Sequence, residues 1–256
     1  MHVLRATGSG DLPPLVVVHG LGSSAADYAW AFGDFRRSCQ AIVLPDLYGH
    51  GSSATPAAHT ASLRESQLAA LAELIPERAI LLGNSLGGVV VTQLYPRVRD
   101  RVAAMVLVSP GGAPMSDGEL SSFLEGFEMA DSAAARRFVG RFLGRPALWA
   151  RPYAWGVRHR MMRPYIRSLV ESIRSEDLLT AREVAALECP VLLYWGSEDR
   201  VIPDAARAWW IQNLPQATVM TPERYGHAPF LDDPHGFATS VIAYLRSVLP
   251  GPRAGT

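Results

Sequence analysis

The stretch Ile80-Leu81-Leu82-Gly83-Asn84-Ser85-Leu86-Gly87-Gly88 constrains the fold more than any other part of the chain. Ala79 to Leu82 is an apolar run of strand length, and Leu86 to Tyr95 reads as a helix that packs on it. The chain must therefore turn from strand to helix within about two residues. Such a turn forces Ser85 into a sparsely populated backbone conformation. Glycines at 83 and 87 remove the side chains that would collide there. A hydroxyl at this point stands above the sheet edge, where the helix dipole and the Leu86 N–H favour negative charge. A five-residue Gly-x-Ser-x-Gly pattern also arises by chance, so the rest of the chain decides its meaning.

Apolar runs and helical segments alternate on both sides of this turn. Leu15 to Val18, Ala41 to Leu44, Ala103 to Ser109, Val191 to Trp195 and Thr218 to Met220 read as strands, with His2 to Ala6 as a short edge strand. Continuous β-branched runs such as Leu15-Val16-Val17-Val18 suit parallel strands covered on both faces. Helices are predicted over 24–37, 63–75, 204–214 and 234–249. The alternation predicts an α/β fold, a doubly wound and mostly parallel sheet. From Pro114 to Leu187 there is no strand candidate, only helical periodicity broken by Gly140, Gly144, Pro146, Pro152 and Pro164. The expected division is a core of 1–112 and 188–256 with a helical cap, 113–187, inserted into it. Pro250 to Thr256 is expected to fray.

The formal net charge of zero recommends neither nucleic acid nor a membrane surface as partner. Every basic residue is arginine, a compositional bias of the chain. Cys39 and Cys189 stand apart, with no neighbouring histidine, and are expected to be buried structural thiols in a reducing compartment. No signal peptide and no apolar run of bilayer length is visible, so a cytoplasmic protein is expected. No histidine or acid cluster has the spacing of a metal site, and no metal or other cofactor is expected. His59, His159 and His235 read as solvated surface groups.

A serine hydroxyl becomes a nucleophile when a base takes its proton and a carboxylate orients that base. Both partners follow Ser85 in the chain. The loop Gly196-Ser197-Glu198-Asp199 after one predicted strand offers Asp199, with Glu198 as its competitor. The loop Tyr225-Gly226-His227-Ala228-Pro229-Phe230 after the last strand offers His227. Loops beyond the carboxyl ends of parallel strands converge, which brings both residues toward Ser85.

With His19-Gly20 and Asp46-Leu47-Tyr48-Gly49-His50-Gly51-Ser52-Ser53, five ordered motifs cover nearly the whole chain, which resembles the α/β-hydrolase superfamily. The resemblance implies a Ser85–His227–Asp199 triad and favours Asp199 over Glu198. It implies an oxyanion hole formed by the N–H groups of Leu21 and Leu86, within a binding loop that includes Gly20, Gly22, Asn84 and Ala228. His19, Asp46 and His50 are expected to shape loops rather than do chemistry. The segment Gly-His-Ala-Pro-Phe is similar to carboxylesterases, including the branch acting on pimeloyl esters. The elbow Gly-Asn-Ser-Leu-Gly-Gly is similar to carbon–carbon hydrolases of ring-fission products, which usually carry an aromatic residue where this chain has Ala228.

The resemblance therefore implies a cofactor-free serine carboxylesterase, monomeric or homodimeric. A carbon–carbon hydrolase, a non-hydrolytic cyclase or lyase, and a ligand receptor on the same fold remain open beside it. The cap aromatics, Phe138 and Phe142 among them, are expected to roof an apolar pocket. Ten arginines against two acids between Asp131 and Arg174 make the cap strongly basic. Arg137, Arg141 and Arg145 fall on one helical stripe beside Phe138 and Phe142. That stripe suits the anionic tail of a small-molecule ester or an acidic carrier protein bearing the acyl chain. A solvated basic face is the competing reading.

Overall fold

The computed structural model describes residues 1–57, 60–145 and 147–250. His59, Pro146 and the tail from 251 onward lie outside the described residues. The seven strands are β1 (Val3–Thr7), β2 (Leu15–Val18), β3 (Ala41–Pro45), β4 (Ala79–Asn84), β5 (Val102–Val108), β6 (Val191–Tyr194) and β7 (Thr218–Met220). They form one sheet in the order β1-β3-β2-β4-β5-β6-β7. Every neighbouring pair is parallel except the edge pair β1–β3.

The two-residue period of the strands sorts their side chains between two layers. Val16, Val18, Leu81 and Leu107 pack on one face, and Leu15, Val17, Ile80 and Leu82 on the other. The helices α1 (Ala29–Ser38) and α11 (Pro234–Val248) cover the second face through Phe35, Phe237 and Val241. The helices α2 (Ala61–Leu74), α3 (Leu86–Val98) and α9 (Asp204–Asn213) cover the first through Leu71, Leu94 and Trp210.

Between β5 and β6 the chain is helical: α4 (Asp117–Glu125), α5 (Ser132–Phe142), α6 (Ala150–Met161), α7 (Pro164–Ser172) and the short α8 (Ala181–Ala185). Phe138 and Val139 of α5, Val157 and Met161 of α6 and Tyr165 of α7 belong to the same apolar cluster as the first face of the sheet. Sheet and cap thus share one core. The remaining helix, α10 (Pro229–Asp232), follows the His227 loop.

Most boundaries shift by one or two residues, and two elements differ more. The helix expected over 24–37 opens as a 3₁₀ turn, Ala25–Tyr28, before α1. Asp27 accepts from the Ser24 N–H at 3.2 Å and Asp46 from the Ala25 N–H at 2.8 Å, which fixes this tighter entry. Helix α3 continues through Pro96 to Val98. Proline removes one main-chain bond, and burial of Leu94, Tyr95 and Val98 against the core outweighs that loss. Cys39 and Cys189 are free thiols, pushed by burial to about 12 and about 11 respectively. Among the described residues no helix is long and apolar enough to cross a membrane.

Candidate active site

Ser85 joins β4 to α3 with φ 54° and ψ −119°, outside the common backbone regions. A methyl group on Gly83 would lie 2.4 Å from the Gly87 carbonyl oxygen, and one on Gly87 would lie 2.0 Å from that of Val18. Only glycine allows the strand and the helix to approach this closely. The Ser85 carbonyl accepts from Gly88 N–H (2.9 Å) and Gly111 N–H (3.2 Å), and its own N–H donates to Val108 at 3.0 Å. These bonds hold the strained residue from both sides.

The β6 loop and the β7 loop meet beyond this turn. His227 Nδ1 lies 2.9 Å from Asp199 Oδ2, with the two side chains 2% and 1% exposed. The other carboxylate oxygen accepts from the Val201 (2.8 Å) and Ile202 (3.2 Å) N–H groups. Burial alone would raise the Asp199 carboxyl, but the His227 imidazole and the main-chain donors outweigh it and hold the group below its ordinary value. An ionised Asp199 accepts a hydrogen bond from Nδ1–H of His227 and leaves Nε2 as the basic nitrogen. Glu198 turns instead to solvent and pairs with Arg200 at 2.7 Å.

Ser85 Oγ makes no hydrogen bond to His227 among the described contacts; such bonds commonly form only when substrate is present. Asn84 instead ties the end of β5 to the His227 loop. Its side-chain amide donates to the Val108 carbonyl (3.0 Å) and the His227 carbonyl (3.2 Å). Asn84 is 3% exposed and lies off the cavity described below, so its place is behind the serine rather than against a substrate. Ala228 is likewise fully buried, in the layer beneath α11.

Opposite Ser85 runs the loop after β2. Gly20 backs directly onto the serine, since a methyl group there would stand 3.2 Å from Ser85 Cβ. His19 shapes the loop: its Nε2 accepts from Leu47 N–H at 3.0 Å, so Nδ1 carries the proton and donates to the Gly20 carbonyl at 2.8 Å. Asp46 ties the neighbouring turn by accepting from Ala25 N–H, Ser52 N–H and the His2 ring. Gly22, with φ +67°, sits under Met161 of the cap. The N–H groups of Leu21 and Leu86 have no acceptor among the described residues. Leu21 stands in the loop after β2 and Leu86 opens α3 directly after Ser85, so both are available to a ligand oxygen.

A cavity of about 150 Å³ opens on Ser85, Leu21 and Leu86. Its far wall is Leu120, Leu124 and Phe127 from the α4 region and Ile173 after α7. Phe138 and Phe142, expected at the roof, lie outside this lining. Their rings form part of a ladder, Phe123–Phe127–Phe138–Phe142, whose last member packs edge-on against His227 at 5.2 Å. Helix α5 turns its apolar side into the core that the cap shares with the sheet, so only the α4 end of the ladder reaches the cavity.

The arginine stripe is likewise divided. Arg141 Nε donates to the Arg200 carbonyl at 3.0 Å, and Arg145 donates to the Asp232 carbonyl at 3.0 Å. Arg137 is exposed and lines neither the cavity nor its neighbour. Arg141 therefore braces the loop that carries Asp199, and is not free to hold a ligand.

Asp232 escaped the sequence reading, and His50, expected to shape its turn, also lines the cavity. Asp232 accepts from Gly144 N–H (3.0 Å) and Gly226 N–H (2.7 Å), and so clasps the end of α5 to the His227 loop. Its neighbour Asp233 carries the visible signal, the acid before Pro234 that caps α11. His50 lines the cavity as well as fixing its turn: Nδ1 donates to the Tyr48 carbonyl at 3.0 Å, and the buried Nε2 has no hydrogen-bond partner among the described residues. Burial, and then the adjacent His19, push His50 down to about 3. Among the described residues no three His, Cys, Asp or Glu side chains converge to hold a metal ion.

A parallel sheet with its loops converging on a strand-to-helix serine and a carboxylate-bound imidazole has the architecture of a hydrolase. A family model described as the alpha/beta hydrolase family matches residues 15–240, and the chain belongs to that family. A pimeloyl-[acyl-carrier protein] methyl ester esterase of Pectobacterium atrosepticum is 30% identical, over 95% of this chain and 98% of its own. A protein of the same description from Nitrosomonas europaea is 27% identical, over 92% and 96%. Among solved structures, the esterase RhEst1 from Rhodococcus sp. ECU1013 superposes with a TM-score of 0.80 at 24% identity, covering 96% of this chain and 95% of its own. A 2-hydroxy-6-oxo-6-phenylhexa-2,4-dienoate hydrolase from Rhodococcus gives 0.82 at 22% identity, over 96% and 94%. These superpositions establish the fold.

Proposed function

We propose that this hydrolase cleaves carboxylic esters through an acyl-enzyme on Ser85. The observation that carries the reading is the buried His227–Asp199 pair, held at 2.9 Å beside the strained serine. The Ser85 hydroxyl attacks the acyl carbon while His227 Nε2 takes its proton. The carbonyl oxygen, now an anion, is held by the Leu21 and Leu86 N–H groups. His227 then returns the proton to the departing alcohol. A water molecule, deprotonated by His227, attacks the acyl-enzyme and releases the acid and the free serine. Ala228, in place of an aromatic residue after His227, and the esterase relatives favour an ester over a carbon–carbon bond.

The test is turnover of nitrophenyl esters together with labelling by a fluorophosphonate. We expect repeated turnovers and a single label on Ser85. Turnover of ring-fission dienones without esters would assign the carbon–carbon chemistry, and binding without turnover would assign a receptor.

The relatives described as acting on a carrier-bound ester suggest such a carrier as partner. Arg137, exposed and away from the cavity, suits the surface of an acidic carrier better than a buried chain end. With Arg137→Glu, KM should rise for a carrier-bound ester and not for a free one, and added salt should weaken the native preference.

A further inference from the structure

A second cavity, of about 610 Å³, opens at the surface of the cap, with Ser121, Glu125, Met162 and Arg167 exposed along it. Leu120, Leu124, Phe127 and Ile173 line both this space and the catalytic cavity, so one layer of side chains divides them. Beyond that layer the cap cavity is walled by Met129, Met161, Met162 and Val170. The catalytic cavity is small. An apolar cavity of about 150 Å³ holds a group of roughly benzene size, on the order of six carbons. A longer acyl chain attached to Ser85 overfills this cavity and must continue either out through its mouth or past the wall.

We propose that this wall is the enzyme's acyl-length gate, and that the chain beyond its first carbons threads between Leu124 and Ile173 into the cap cavity. The inference rests on the ester reading of Ser85 and adds the substrate class, an acyl chain whose distal stretch is uncharged. The rim decides the charge. It carries Arg167 and Arg174 against Asp117, Glu125, Glu128 and Glu171. Arg167 is paired with Glu171 at 3.3 Å, and Arg174 donates to the carbonyls of Glu171 and Ile173. The balance is acidic, although the cap as a whole is basic, so a terminal carboxylate is disfavoured there. The wall itself is suited to movement. Leu124, Phe127 and Ile173 are only half-buried, and methionines on the far side adapt to a flexible guest.

The test reads the ratio of kcat/KM for a dodecanoyl over a butanoyl nitrophenyl ester. Leu124→Ala opens the wall and should raise the ratio about tenfold. Val170→Phe fills the cap cavity from its far side and should lower it about tenfold. Ser121→Phe, at an exposed position of α4 on the same cavity, carries the same arm if Val170→Phe does not fold. A twelve-carbon chain ending in a carboxylate should be a poorer substrate than the neutral one. Ratios that stay within twofold in both directions overturn the gate while leaving the ester reading intact. Absence of turnover on every chain length by the native enzyme instead overturns the ester reading beneath it.

Discussion

At the scale of single residues, the site depends on a few groups held in states they would not adopt in water. Ser85→Ala and His227→Ala should each lower ester turnover by about 10⁴-fold or more, with Asp199→Asn somewhat less severe. Steady-state rates on a nitrophenyl ester check this, and native-like turnover by Ser85→Ala would sink the mechanism. His50 gives a different kind of prediction, because the cost of burying it is written into stability. Its ordinary value of 6.5 falls to about 3 in the folded chain. The fold keeps it neutral while the unfolded chain takes up a proton below about 6.5. Its contribution is therefore fully present above that pH and is lost as pH falls from 6.5 toward 3. His19, also lowered by burial, acts in the same direction. Asp46 and Arg163 are the other charged groups that His50 feels, one favouring the imidazolium and the other opposing it. Urea unfolding at pH 7.5, 6 and 5 should show stability falling by up to about 1.4 kcal/mol per pH unit for each histidine. His50→Gln should flatten the slope, and an unchanged slope would show that His50 does not set it.

At the scale of elements, the end of α5 is the joint between the cap and the chemistry. Arg141 exchanges main-chain and side-chain bonds with Arg200, Phe142 accepts the His227 N–H at 2.9 Å, and Gly144 donates to Asp232. Asp232→Ala leaves the Gly144 and Gly226 N–H groups without their acceptor, at a cost of roughly 1–3 kcal/mol for each that stays buried. We expect a lower melting temperature and a fall in kcat larger than any change in KM, because the base is misplaced rather than the substrate. A change confined to KM would place Asp232 outside this role. This joint also marks the limit of what the sequence disclosed. The turn at Ser85 and the loops of Asp199 and His227 were legible because each is a short motif at the end of an apolar run. The duties of Asn84, Arg141 and Phe142 were not. A polar or aromatic residue looks the same in a sequence whether it faces a ligand or the back of the His227 loop, and only its place in the packed fold separates the two.

At the scale of the whole molecule, the strand–helix alternation was legible because the central strands β2 to β6 are apolar on both faces, and the helical stretch between β5 and β6 because the apolar strand runs stop there. The sharing of one core by the sheet and the cap was not, since periodicity reveals that a helix has an apolar side but not what that side meets. The shared core predicts that the two regions unfold together. Calorimetry should show one transition for the chain, with equal calorimetric and van't Hoff enthalpies. Two resolved transitions would mean that the cap holds its own structure.

The bond from the His227 main-chain N–H to the Phe142 carbonyl makes one catalytic-loop amide a reporter on the cap. A deuteron can enter that position only when the end of α5 lets go of the loop, whatever the far side of the cap is doing. If the exchange of the His227 amide keeps pace with amides of β4 while those of α4 run ahead, the cap has one anchored half and one that breathes. Substrate then enters through the half that α4 builds.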